Sequence, residues 1–60
     1  MNRKYIRKED NIKANLTEVK NRDGSKHYLI SWETTAIDRK EYKTLKGAEN
    51  FLKNKGYEEQ

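Results

Sequence analysis

Asn21-Arg22-Asp23-Gly24-Ser25 lies between two stretches in which polar and apolar residues alternate, and its reading decides the fold. Glycine takes the positive φ that a tight reversal needs, and Asp or Asn tolerates the neighbouring position. The chain therefore turns back at Asp23-Gly24, and the flanking stretches pair antiparallel. Upstream, Ile12, Ala14 and Leu16 alternate with Lys13, Asn15 and Thr17. That period of two is the signature of a strand with one buried face, running from Ile12 to Val19. Val19 falls on the Lys13 face unless a bulge shifts it. Downstream, Lys26 to Glu33 places Tyr28, Ile30 and Trp32 on one side, and His27, Leu29, Ser31 and Glu33 on the other. The aromatic side is the expected core face.

Beyond a second connection at residues 34–38, Arg39-Lys40-Glu41-Tyr42-Lys43 reads as a short, charged edge strand with Tyr42 turned inward. Thr44 is the expected N-cap, because its hydroxyl can accept a bond from an orphaned backbone N–H of the first helical turn. Leu45, Ala48, Phe51 and Leu52 then recur at helical spacing. Gly56 suits a left-handed C′ position, which pairs Leu52 at C3 with Tyr57 at C″ in a Schellman ending. Gly47, inside the first turn, costs about 1 kcal/mol relative to Ala and implies close approach of the helix to Trp32 or the sheet. The expected architecture is α+β, a three-stranded antiparallel sheet packed on one C-terminal helix (βββα) over residues 11–57. Residues 1–10 are expected as a flexible basic arm and 58–60 as an acidic tail. One helix covers one face of such a sheet. The open face is then expected to carry Lys13, Asn15, Thr17, His27, Leu29, Ser31, Glu33, Arg39, Glu41 and Lys43.

Sixty residues leave room for one core. There is no cysteine, so neither a disulfide nor a thiolate-bound metal can staple it. Charged residues make up 40% of the chain and mean hydropathy is −1.40, values that would suit disorder. The regular spacing of Trp32, Phe51, the tyrosines and the aliphatic residues favours a packed core instead. No apolar run reaches the length of a membrane span, and Met1 is followed by Asn2-Arg3-Lys4 without an apolar leader, so a soluble cytoplasmic protein is expected. The net charge of +4 has a location: four of the fourteen Lys and Arg lie in residues 1–8, leaving ten to balance all ten acids. Residues 9–60 are neutral overall.

Candidates for catalysis are few. His27 is the only imidazole, and it flanks the hairpin as a surface histidine would. The carboxylate pairs Glu9-Asp10 and Glu58-Glu59 fall in the expected flexible ends, where nothing holds an acid and a base at a fixed separation. The glycines are absorbed by turn, cap and packing, so no phosphate-cradling loop remains. The chain is read as non-enzymatic and without a cofactor. Arg3, Lys4, Arg7 and Lys8, interleaved with Tyr5, suit the phosphate backbone of a nucleic acid. On the open face Lys13, Asn15, Thr17, Ser31, Arg39 and Lys43 can bond phosphates and base edges. Glu33 and Glu41 oppose that use, and Leu29 favours a protein contact or dimer.

The stretch Tyr42-Lys43-Thr44-Leu45-Lys46-Gly47-Ala48-Glu49-Asn50-Phe51-Leu52, following an Asp-Gly hairpin, resembles the aromatic-Lys-Thr-x-x-x-Ala-Glu ending of the arm-type DNA-binding domains at the N-termini of phage and conjugative-transposon tyrosine integrases. The resemblance implies a three-stranded sheet with a C-terminal helix whose open face enters the major groove of duplex DNA, using Lys13, Asn15, Thr17, Arg39 and Lys43. It also implies a free-standing accessory protein of a phage or mobile element. The neutral body, Leu29 and the short edge strand support a different partner, a protein covered by a small phage-type inhibitor or adaptor. A homodimer through the sheet face is compatible with either.

Overall fold

The computed structural model describes residues 2–33 and 39–60. The expected connection at 34–38 lies outside the described residues. Five strands and one helix follow in the order β1 (Asn2–Arg7), β2 (Ile12–Lys20), β3 (Lys26–Trp32), β4 (Arg39–Tyr42), α1 (Leu45–Asn54) and β5 (Tyr57–Glu59). They form one antiparallel sheet ordered β4-β3-β2-β1-β5. The α+β class and the antiparallel sheet with a single helix are as expected from the sequence. The strand count is not: the sheet has five strands instead of three.

Both additional strands come from the ends of the chain. Residues expected as a flexible arm form β1, which pairs with β2 from Asn2↔Thr17 to Arg7↔Ile12. Residues expected as an acidic tail lie in β5, which pairs with β1. The reason is visible in the side chains. Tyr5 in β1 and Tyr57 in β5 are each only 7% exposed, so each end segment adds one ring to the core. The turn joining β1 to β2 has Asn11 at φ 59°, a left-handed conformation that Asn tolerates better than most residues. Asp10 Oδ1 accepts the Ile12 backbone N–H at 3.2 Å and completes the reversal.

The hairpin at Asn21–Ser25 forms as the sequence requires. Asn21 N donates to the Ser25 carbonyl at 2.7 Å, Gly24 N donates to the Asn21 carbonyl at 3.1 Å, and Gly24 has φ 91°. These bonds make a three-residue loop, a type I turn closed by a left-handed glycine. β2 and β3 stay in unbroken register from Ala14↔Trp32 to Lys20↔Lys26. Val19 therefore lies on the Lys13 face, and no bulge is present along this ladder.

Helix α1 has the N-cap its sequence suggests and a left-handed Gly56 at its end, but of the two Schellman bonds only that from Gly56 to Lys53 forms. Thr44 Oγ1 accepts from Gly47 N at 3.1 Å, and at the other end Gly56, at φ 87°, donates to the Lys53 carbonyl at 3.1 Å. A Cβ on Gly47 would come within 3.1 Å of Thr44 Oγ1 and 3.4 Å of Tyr42. The close approach is thus to the cap and to β4, not to Trp32. Because β4 and β5 occupy opposite edges, the chain must cross the whole sheet between them. Four strand spacings span about 19 Å and a ten-residue helix about 15 Å, so the helix and its caps bridge that width. The core lies beneath it: Leu16, Ile30, Ala48 and Leu52 are fully buried, with Ala14, Tyr5 and Tyr57 around them. Each fully buried Leu or Ile side chain stabilises the fold by roughly 1.5–3 kcal/mol.

Candidate binding face

Alternation along five registered strands sorts every side chain to one of two faces. The helix covers Tyr5, Ala14, Leu16, Ile30 and Tyr57. The opposite face holds Asn2, Lys4 and Ile6 of β1, Lys13, Asn15, Thr17 and Val19 of β2, His27, Leu29 and Ser31 of β3, Arg39 and Glu41 of β4, and Glu58 of β5. Cross-strand pairing arranges these residues in transverse rows. In one row Arg39 lies opposite Ser31, Ser31 opposite Asn15, and Asn15 opposite Lys4. Gln60 extends it, since its backbone N–H donates to the Lys4 carbonyl at 2.8 Å. Arg39, Ser31, Asn15, Lys4 and Gln60 are all hydrogen-bonding side chains without a carboxylate.

The flanking rows are mixed. On one side lie Glu41, Leu29, Thr17 and Asn2, and on the other Lys13, Ile6 and Glu58. Glu33 joins the second side, because its N–H donates to the Lys13 carbonyl at 3.1 Å. Its carboxylate accepts from Asn15 Nδ2 at 3.4 Å, a long bond that a competing ligand could displace. Lys4, Lys13, Asn15, Glu33 and Gln60 together line a shallow depression.

The arm residues divide differently from their sequence reading. Arg3 and Arg7 lie on the helix-covered side, not in a mobile arm. Arg3 Nη1 donates to Glu49 Oε2 at 2.9 Å. Arg7 grips Asp10 through Nε at 3.1 Å and Nη2 at 2.7 Å, and its guanidinium sits 5.0 Å from the Tyr57 ring centre. That grip, with the Ile12 N–H, holds the Asp10 carboxyl below its ordinary range. Lys8 lies 3.3 Å from Glu58. Lys4 lies on the open face, and Lys8 meets that face only at Glu58. Lys13, Asn15, Thr17, Leu29 and Arg39 are there as expected. Lys43 stands apart from the polar row, in a depression shared with Asn21, Ser25, His27, Glu41 and Tyr42.

His27 Nδ1 lies 2.8 Å from Asn21 Oδ1, within the hairpin's own network. The same network has Asp23 Oδ1 accepting from the Ser25 hydroxyl at 2.6 Å and the Ser25 N–H at 2.9 Å, which lowers the Asp23 pKa. Among the described residues no three His, Asp or Glu side chains converge on a metal-sized site, and no helix is long and apolar enough to cross a membrane.

A second feature lies around the β4 edge, where Trp32, Arg39, Lys40, Phe51 and Lys55 line a groove between the sheet and α1. Lys40 Nζ is 4.6 Å and Lys55 Nζ 6.0 Å from the Phe51 ring centre, and Trp32 meets the same ring edge-on at 6.2 Å. Sequence reading missed this groove. Its only linear signal is the four-residue spacing of Phe51 and Lys55, which brings both to one side of the helix. The chain matches no model of a known protein family, no curated protein and no solved structure.

Proposed function

We propose that the chain is a small non-enzymatic module that binds nucleic acid through its open sheet face. The supporting observation is the polar row Arg39-Ser31-Asn15-Lys4-Gln60, which crosses β4, β3, β2 and β1 and ends at the residue that follows β5. Arg and Lys bond phosphates and guanine edges, while Asn and Gln pair with adenine. The basic segment at the N-terminus takes little part in this reading, because Arg3, Arg7 and Lys8 are each held by an acid. Five strands span about 19 Å, against about 12 Å for a B-DNA major groove, so the sheet meets the backbone across a groove in place of inserting whole.

A mobility-shift measurement at low salt tests this reading directly. Affinity for duplex or single strands is expected, falling as salt rises because each neutralised phosphate releases counterions. Lys4→Gln with Arg39→Gln should weaken binding and flatten its salt dependence. Lack of affinity for either form at low salt would end the proposal.

The alternative reading is a protein-binding inhibitor or adaptor acting through the same face. The specific observation favouring it is the half-buried apolar set Ile6, Val19 and Leu29 interleaved with Glu41 and Glu58. Under that reading Leu29→Lys abolishes partner capture while leaving any nucleic-acid affinity intact or raised.

A further inference from the structure

The groove at the β4 edge combines features that the fold itself does not use up. Among the described residues its lining holds three cations, Arg39, Lys40 and Lys55, and no carboxylate. Lys40 and Lys55 both attend the Phe51 ring, so positive charge gathers around it and an anion beside them would be attracted. The aromatic residues are also incompletely used. Trp32 and Phe51 pack against the core, and Phe51 also against Tyr42, yet each keeps part of its surface exposed. The Trp32 indole N–H is already satisfied by the Tyr57 hydroxyl at 2.9 Å, so a ligand could meet this ring only through its carbon surface.

A ligand suited to this groove is anionic and carries a flat ring, and a nucleotide has both. Arg39 connects the groove to the open face, since its position opposite Ser31 ends the polar row and the same residue also lines the groove. A strand of nucleic acid following the row would therefore reach the β4 edge with a phosphate near Arg39. A duplex keeps its bases stacked and paired, whereas a single strand can turn a base outward onto an aromatic side chain. We propose that the groove formed by Trp32, Phe51, Lys40 and Lys55 seats one unstacked base and the adjoining phosphate of a single-stranded nucleic acid. This rests on the nucleic-acid reading of the open face and narrows it to single strands.

Trp32 is the only tryptophan of the chain, so its emission reports on the groove without labelling. The full-length protein would be titrated at low salt with an end-labelled oligothymidylate of roughly ten nucleotides. Tryptophan emission and label anisotropy would be followed together. Saturable quenching of Trp32 in step with the anisotropy rise is expected. Lys40→Gln with Lys55→Gln, both at exposed positions, should weaken that binding roughly tenfold. Inorganic polyphosphate should displace the oligonucleotide without quenching, and a duplex of equal length should bind without quenching. Equal quenching by polyphosphate or by duplex would overturn base stacking in the groove. Binding seen by anisotropy with unchanged Trp32 emission would overturn the groove while leaving the open-face reading intact. No anisotropy change with either strand form would remove both.

Discussion

Two segments of this chain are rich in positive charge, and the fold treats them in opposite ways. The N-terminal segment holds Arg3, Lys4, Arg7 and Lys8 without an acid until Glu9. Once β1 is in the sheet, Glu49, Asp10 and Glu58 answer three of those four cations. The stretch from β4 through α1 carries Arg39, Lys40, Lys43, Lys46, Lys53 and Lys55 against Glu41 and Glu49, and the Glu49 carboxylate is turned to Arg3. An excess that sits at one end of the linear sequence is thus transferred, by pairing, to the β4 edge and the helix. Linear charge position shows how much cationic character a chain has. Only the pairing shows where a partner would meet it.

The sharpest way to break the comparison is to delete residues 1–8. A dispensable arm would come off without harm, but β1 lies between β2 and β5 and brings Tyr5 into the core. The truncated chain is expected to lose its cooperative unfolding transition in urea, followed by circular dichroism. By contrast, Lys40→Gln with Lys55→Gln should leave stability within about 0.5 kcal/mol, as exposed substitutions usually do.

The two faces of the sheet can be compared at neighbouring positions in the same way. Leu16 is fully buried under the helix, and Leu16→Ala should cost about 2–5 kcal/mol by denaturant titration. Val19→Ala, on the open face of the same strand, should cost well under half of that. A smaller effect is expected at the junction with β5. Gly56 holds φ 87°, and an added Cβ would meet only Arg7 carbons at ordinary contact distance, so Gly56→Ala should cost about 1–2 kcal/mol through its backbone alone.

The smallest expected effect concerns Asp10 and Arg7. The Asp10 carboxyl is lowered from 3.8 by its bonds to Arg7 and Ile12 N–H. A depressed carboxyl stabilises the fold above its unfolded pKa and loses that contribution as the pH falls through the folded value. Asp10→Asn should therefore be less stable than the unaltered protein at neutral pH, and the difference should shrink below about pH 4. A pH-independent difference would mean that the Arg7 pair does not stabilise β1.

How much of this could be read from the sequence follows from how much of each element's burial is written in its pattern. The β2–β3 hairpin and the helix were legible because Ile12, Ala14 and Leu16, Tyr28, Ile30 and Trp32, and Leu45, Ala48 and Leu52 repeat at strand or helix spacing, with turn and cap residues at the expected places. β1 and β5 were not legible, because each places a single ring in the core and surrounds it with charge. In β1 the positions either side of Tyr5 on the covered face are Arg3 and Arg7, whose charged ends find acids. The open-face residues Lys13, Asn15, Thr17, Leu29 and Arg39 followed from strand alternation alone. Their alignment with Lys4 and Gln60 into a row did not, since it depends on β1, on β5 and on the order of the strands. The groove was further out of reach, because Trp32, Lys40 and Phe51 come from three different elements.

Backbone amide NMR at low salt, with unlabelled oligonucleotide added to the isotope-labelled full chain, tests the open-face assignment most directly. Shift changes are expected to cluster at Lys4, Asn15, Ser31 and Arg39, with the amides of Arg3, Arg7 and Lys8 changing least among the basic residues. Changes concentrated at Arg3, Arg7 and Lys8, or absent from the open face, would contradict it.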